Sequence, residues 1–139
     1  MKHKQLAKDL DEILNRVIDH TVFPYVKGNS IRIKQYAVRK SKAGYLIYDC
    51  KSNAQVQKTF SKAAALALAK TKAQGYNYEK NIMDWDSVIE KYFNDALFYN
   101  HTMKVSKDDM KREIAETRYD IAKTKVLNYK TKLEKIIYS

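Results

Sequence analysis

The chain has 139 residues, of which 45% are hydrophobic, and it carries a formal net charge of +11. This length and the scarcity of glycine (3) and proline (1) predict one ordered domain, residues 1–139, without flexible linkers. A single cysteine excludes an internal disulfide and a cysteine-based zinc site, which favours a reducing compartment. No apolar run approaches the roughly 20 residues of a membrane span, and the N-terminus lacks the pattern of a signal peptide.

The positive charge is concentrated in residues 27–72. This segment holds eleven Lys or Arg side chains against one acidic residue, Asp49, and therefore carries +10. The flanking segments, residues 1–26 and 73–139, are nearly balanced. Solvated surfaces usually mix both signs, so the one-sided segment favours a polyanionic ligand, either nucleic acid or an acidic protein. A surface that serves only solubility is the remaining interpretation.

The first predicted elements follow from a change of apolar period. Residues 3–20 have apolar side chains at three- and four-residue steps, which is typical of an amphipathic helix. From residue 30 the period becomes two, and a shift of parity at residues 34–35 predicts a bulge or a tight turn there. Strands at residues 45–50 and 55–60 complete a predicted three-stranded antiparallel meander.

Two more helices follow the meander. Ser61 is a candidate N-cap and Gly75 a candidate C-cap for an alanine-rich helix, whose small side chains allow it to lie close on the sheet. Residues 27–75 are therefore interpreted as a basic β-β-β-α module. A third helix is predicted to begin near Asp84 or Asp86, with an apolar stripe that is typical of core packing.

A long last helix is predicted from residue 106 to about residue 138, so that residues 82–139 form a C-terminal helical hairpin. Along it, seven residues recur at alternating steps of four and three, which is the heptad pattern of a helix seam. Its partner is the first or third helix of this chain or, because so long a helix is expected to exceed both, a second copy or a larger assembly. The partner-helix seam consists of Ala115, Tyr119, Ala122, Val126, Tyr129, Leu133 and Ile136.

No constellation in the sequence predicts catalysis or a metal site. His3, His20 and His101 lie in different segments without the spacing of metal ligands. Asp84 and Asp86 are explained by capping at a helix start rather than by acid-base chemistry. Glycine-rich phosphate loops and nucleophile motifs are absent. We therefore predict a protein that is not an enzyme and uses neither cofactor nor metal.

The candidate binding residues lie in the basic module. Its Lys and Arg side chains are expected to contact phosphates, and its tyrosines offer rings for stacking on bases. Tyr36, Tyr45 and Tyr48 all lie on the basic meander, although tyrosine is also an ordinary strand former. The predicted nucleic-acid-binding residues are Arg32, Lys34, Tyr36, Arg39, Lys40, Lys42, Tyr45, Lys51 and Lys58.

Three stretches of the chain resemble a recurring pattern in small basic proteins of T4-like marine cyanophages, many of them uncharacterised and some virion-associated. They are "YLIYD" and "FSKAAALALAK", within residues 29–75, and "ETRYDIAKTKVLNYKTKLEKIIYS", residues 116–139. The strand and helix order of the module is also similar, in topology only, to the arm-binding domains of phage integrases, whose sheet lies in a DNA groove. The resemblance implies a phage protein of the virion or the host cytoplasm.

The sequence therefore predicts an α+β fold: an N-terminal helix, a three-stranded antiparallel β-meander with an alanine-rich covering helix, and two C-terminal helices, the last one long. The predicted function is that of a non-enzymatic virion structural protein. Its basic module would face DNA, and its helices would dock on other virion proteins or on a second copy. The alternative is a phage-encoded adaptor or host-takeover protein that binds an acidic protein partner.

Overall fold

The computed structural model describes residues 26–27 and 30–139, so the predicted N-terminal helix lies outside the described residues. The described chain is α+β, with an antiparallel sheet followed by three helices, the last one long, as predicted. The strands are β1 (Val26–Lys27), β2 (Ser30–Ile33), β3 (Tyr36–Ser41), β4 (Gly44–Asp49) and β5 (Ala54–Thr59), and the helices are α1 (Lys62–Gln74), α2 (Glu79–Val105) and α3 (Asp109–Ile137).

The prediction of three strands is wrong in detail. The first predicted strand is divided into β2 and β3 by a two-residue turn, so that Ile33 pairs with Tyr36. Lys34 in this turn has a left-handed backbone with φ 51°. The parity shift in the sequence therefore marks a tight turn rather than a bulge. The two-residue strand β1 pairs with β2 at the sheet edge, and it is too short to show any alternation in the sequence.

Helix α1 lies between the sheet and the other two helices. Both predicted caps are present: the Ser61 hydroxyl accepts a hydrogen bond from the N–H of Ala64 at 3.2 Å, and Gly75 ends the helix with φ 83°. Residues 63–69 have no exposed surface, as expected for a helix that is covered on opposite sides. It contacts β2 to β5 as well as α2 and α3. The high alanine content therefore allows close packing on the sheet, as predicted, and also on α2 and α3, which was not predicted.

The predicted seam of the last helix is buried against α2, the third predicted helix. Of its seven residues, five are buried, and Tyr129 and Ile136 are partly buried against the same core. The two helices run antiparallel, since Arg118 lies beside Tyr99 and Lys132 beside Trp85. They have 27 and 29 residues, so α3 is longer than its partner by only about 3 Å.

The predicted start of α2 is wrong. The helix begins at Glu79, more than one turn before Asp84, and its N-cap residue Tyr78 makes no side-chain capping hydrogen bond. A start without a Ser, Thr, Asp or Asn cap gives no signal in the sequence. Asp84 and Asp86 consequently lie inside the helix. Asp84 is exposed, whereas Asp86 is buried.

Asp86 stabilises the corner between β5 and α1. Its carboxylate is 4% exposed and accepts hydrogen bonds from the N–H of Phe60 at 2.7 Å and the N–H of Ser61 at 2.9 Å. The Ser61 hydroxyl donates to the same carboxylate at 2.6 Å. Burial raises the pKa of Asp86 although these three hydrogen bonds act in the opposite direction. The carboxylate therefore stabilises the N-terminus of α1 instead of the start of its own helix.

We predict that Asp86→Ala lowers the free energy of unfolding by about 3 kcal/mol or more, because it leaves two backbone donors and a hydroxyl without their acceptor. Urea denaturation followed by circular dichroism measures this loss. The matched control is Asp84→Ala, two residues away and exposed, with an expected change within about 0.5 kcal/mol. Equal losses for both variants would contradict the role of Asp86.

Asp86 also gives the stability a defined pH dependence. Because its pKa is raised in the folded state, ionisation of this carboxyl destabilises the fold as pH rises from the ordinary value of 3.8 through the raised value. Asn cannot ionise, so the stability advantage of the parent over Asp86→Asn is expected to be larger at about pH 4 than at about pH 7. Urea denaturation of both proteins at the two pH values tests this, and an advantage that grows with pH would show the sign to be wrong.

Candidate nucleic-acid interface

Strand register divides the side chains of the sheet between two faces, because successive residues of a strand point to opposite sides. The inner face packs against α1 and includes Val38 and Ile47, which are paired across β3 and β4 and are buried. Residues out of phase with these two form the opposite face. This outer face consists of Ser30, Arg32, Ala37, Arg39, Ser41, Gly44, Leu46, Tyr48, Gln55 and Lys58.

Five of the nine predicted binding residues lie on the outer face or at its ends, and Lys34 lies in a turn with its ammonium directed to α1. Arg32, Arg39 and Lys58 are on the face itself, and all three side chains are exposed. The turns between the strands supply three more exposed lysines, and these turns lie at both ends of the strands. The turn residues are Lys34, Lys42 and Lys51.

The other three predicted residues lie on the inner side of the sheet. Tyr45 pairs with Thr59, is 8% exposed and belongs to the core, so the prediction that it stacks on bases is wrong. Tyr36 is partly buried against the same core. Lys40 pairs with Tyr45 and therefore points to the inner side, near the start of α1. There, burial and the charge of Lys40 lower the pKa of Lys62.

Tyr48 is the aromatic residue of the outer face. The Arg39 guanidinium lies over its ring, 5.3 Å from the ring centroid, which is a cation-π contact. Sequence reasoning placed Tyr48 on the meander but did not select it. The signal was available in the alternation of β4, since Tyr48 is in phase with Leu46 and out of phase with the buried Ile47.

The charge of this face is not compensated by neighbouring carboxylates. None of the outer-face residues is acidic, and no salt bridge among the described residues involves Arg32, Arg39 or Lys58. Asp49, the one acidic residue of the basic segment, is occupied in the β4–β5 turn. It accepts hydrogen bonds from the N–H of Lys51 at 2.9 Å and from another side chain, and these lower the pKa of Asp49.

Two of the basic side chains are anchored by backbone carbonyls at one end of the sheet. The Nε of Arg32 donates to the carbonyl oxygen of Lys34 at 2.6 Å, and the Nζ of Lys34 donates to the carbonyl oxygen of Ala73 at 3.4 Å. The guanidinium has five N–H donors, so one internal hydrogen bond orients it without using its capacity for a ligand. The arrangement is suited to contacts with oxyanions.

The described part of the chain offers little else that resembles a reactive site. Within residues 30–139, no group of three or more His, Cys, Asp or Glu side chains is placed to bind a metal ion. No described helix is both long enough and apolar enough to cross a lipid bilayer. Comparison with protein families, curated proteins and solved structures finds no match to this chain.

Proposed function

We propose that the protein is a non-enzymatic nucleic-acid-binding protein whose outer sheet face contacts the sugar-phosphate backbone of DNA. The observation that carries the proposal is the outer face itself, which exposes three basic side chains and no carboxylate. Lys42 and Lys51, in the turns, extend the positive surface to both ends of the strands. Lys and Arg neutralise phosphates and release their condensed counterions, so such a surface binds nucleic acid in a salt-dependent way.

The geometry of Arg39 favours contacts with the sugar-phosphate backbone of DNA over contacts with the bases. Its guanidinium is held over the Tyr48 ring, which orients the cation and covers that side of the ring. An oriented guanidinium presents its N–H edge to phosphate oxygens, while a covered ring is not open to a base on the same side. Phosphate contacts position a protein without reading sequence. We therefore expect binding with little base preference.

An acidic protein is the competing ligand, and the apolar content of the face argues against it. Protein interfaces have an apolar centre that is rich in aromatic residues. The aliphatic side chains of the outer face are Ala37, which is buried, and Leu46, which is partly buried. Its aromatic residue, Tyr48, is covered on one side by Arg39, so the face offers charge around a small apolar centre rather than a broad one.

We further propose that the protein functions in a phage virion. This part of the proposal is supported by the resemblance of its sequence to small basic proteins of T4-like marine cyanophages. It is also supported by exposed apolar side chains on the helical hairpin, which are suited to contacts with other proteins. Phe98 is 64% exposed and Val105 is 57% exposed.

We predict steep salt dependence of DNA binding. If about four of the exposed basic side chains contact phosphates, raising the salt from roughly 50 mM to 200 mM is expected to lower the affinity about a hundredfold. Fluorescence anisotropy with labelled duplex and single-stranded DNA measures this, with polyglutamate as competitor. Binding that does not respond to salt, or that polyglutamate displaces as well as unlabelled DNA does, would contradict the nucleic-acid assignment and favour an acidic protein partner.

A second prediction uses two adjacent residues that point to opposite faces. Arg39→Glu is expected to reduce DNA affinity at least about tenfold and to lower the salt slope by about one, whereas Lys40→Glu has a much smaller effect. Lys91→Glu, exposed on α2, controls for the change in net charge. Circular dichroism verifies that all three variants fold. Equal losses for Arg39→Glu and Lys40→Glu would mean that total charge, rather than the outer face, determines binding.

A further inference from the structure

Helix α3 carries a second heptad pattern on the side opposite to the seam that packs on α2. Six exposed residues recur there at steps of four, three, four, three and four. Three of them are large apolar residues with substantial exposure: Met110 at 70%, Ile114 at 49% and Ile121 at 55%. We call this set the outer seam, and it consists of Met110, Ile114, Thr117, Ile121, Thr124 and Asn128.

The threonines of the outer seam are already satisfied within the helix. The hydroxyls of Thr117, Thr124 and Thr131, the next residue in the pattern, each donate to the carbonyl oxygen four residues earlier, at 3.1, 2.8 and 2.9 Å. A buried hydroxyl without a partner would oppose association. Because these hydroxyls already have acceptors, the threonines can be buried in an interface without leaving a hydrogen-bond donor unpaired.

Rows of opposite charge flank the outer seam. One side has basic residues at seven-residue spacing, and all four are exposed. The other side has exposed Glu113 and Asp120 at the same spacing, followed by the partly buried Leu127 and Glu134. In heptad notation the seam occupies positions a and d, the basic row is at e and the acidic row is at g. The basic row consists of Lys111, Arg118, Lys125 and Lys132.

We propose that two copies of the chain associate through their outer seams as a parallel, in-register, two-stranded coiled coil. In a parallel pair, position g faces position e of the following heptad on the other helix. Glu113 then meets Arg118 of the second copy, and Asp120 meets Lys125 of the second copy, each twice by symmetry. An antiparallel pair would place g opposite g and e opposite e, so that like charges would meet.

The apolar positions select the same arrangement. Ile114 and Ile121 are at position a, where β-branched residues favour two strands. Asn128 follows at the next a position, and a polar Asn there specifies register and oligomeric state at some cost in stability. Threonine at d buries less apolar area than leucine does. We therefore expect a dimer that dissociates on dilution.

The first test is sedimentation velocity of the full chain over a concentration series with two charge-reversal variants. Glu113→Lys with Asp120→Lys makes both flanks basic, and Arg118→Glu with Lys125→Glu makes the facing positions acidic. Each variant alone is expected to associate at least about tenfold more weakly than the parent. An equimolar mixture is expected to restore a dimer, because the reversed rows are complementary. Unchanged association of the separate variants would overturn the proposal.

The second test reads the orientation by disulfide formation in a Cys50→Ser background, since Cys50 is exposed and would react. Ile114→Cys and Asn128→Cys are each expected to form a cross-linked dimer on mild oxidation, because an in-register pair places each position opposite itself. Glu116→Cys, exposed on the flank away from the outer seam, is the control and should not form a cross-linked dimer. A dimer that forms in solution but cross-links at neither seam position would indicate antiparallel pairing and overturn the parallel arrangement, because each a position would then face a d position of the other helix.

A protein that is monomeric at all concentrations, and whose seam cysteines do not cross-link, would overturn the dimer. DNA binding by the outer sheet face is measured separately, on residues of another element. The Arg39→Glu variant therefore tests the sheet face without changing the outer seam.

Discussion

The carboxylate of Asp86 connects three elements that are distant in the sequence. It accepts hydrogen bonds at the junction of β5 and α1 while it belongs to α2, 25 residues further along. The last strand of the sheet, the start of the alanine-rich helix and the helical hairpin are therefore fixed relative to one another at a single buried point. Removing the carboxylate would leave its three hydrogen-bond donors without an acceptor, which lowers stability. A buried carboxylate without those donors would destabilise the fold still more. The orientation of the sheet on the helices depends on this contact.

The position of α1 explains why one face of the sheet can remain polar. Residues 63–69 are wholly buried, since the helix fills the space between the sheet and the hairpin. One helix is enough to cover the inner face because alanine allows a close approach, and the core residues of β2 to β4, such as Val38 and Ile47, point to it. The alternate positions of the same strands need not be apolar. Basic residues at these positions therefore do not disturb the packing of the core, and together they form a cationic surface.

Features determined by neighbouring residues could be predicted from the sequence, and features determined by distant ones could not. The caps at Ser61 and Gly75 and the seam around Tyr119 follow from local hydrogen bonding and periodicity, and both are present. The partner of Asp86 lies on another element, so the sequence showed an acidic residue without its role. Tyr45 is in phase with the buried Ile47 and Tyr48 is not, so the alternation along β4 alone distinguishes the core tyrosine from the exposed one. The prediction selected Tyr45 because it relied on the basic charge of the meander rather than on this alternation. The register places five of the nine predicted binding residues on the outer face or at its ends, and this division into faces could not be read from the charge of the segment.

Helix α3 links the two proposals, because its two sides are occupied differently. The side at Tyr119 and Val126 packs against α2. The outer seam is free of such packing, and the charge pairs proposed to flank it lie within residues 113–125. The basic module lies at the other end of the hairpin, since Lys70 of α1 donates to the carbonyl oxygen of Ile137 at 2.7 Å. A parallel dimer would therefore join two chains far from their sheets and place both cationic faces at the same end. Two faces on one assembly contact a polyanion with a higher effective concentration than separate chains do. By linkage, DNA that spans both faces would in turn stabilise the dimer, so a weak seam is sufficient when the ligand is present.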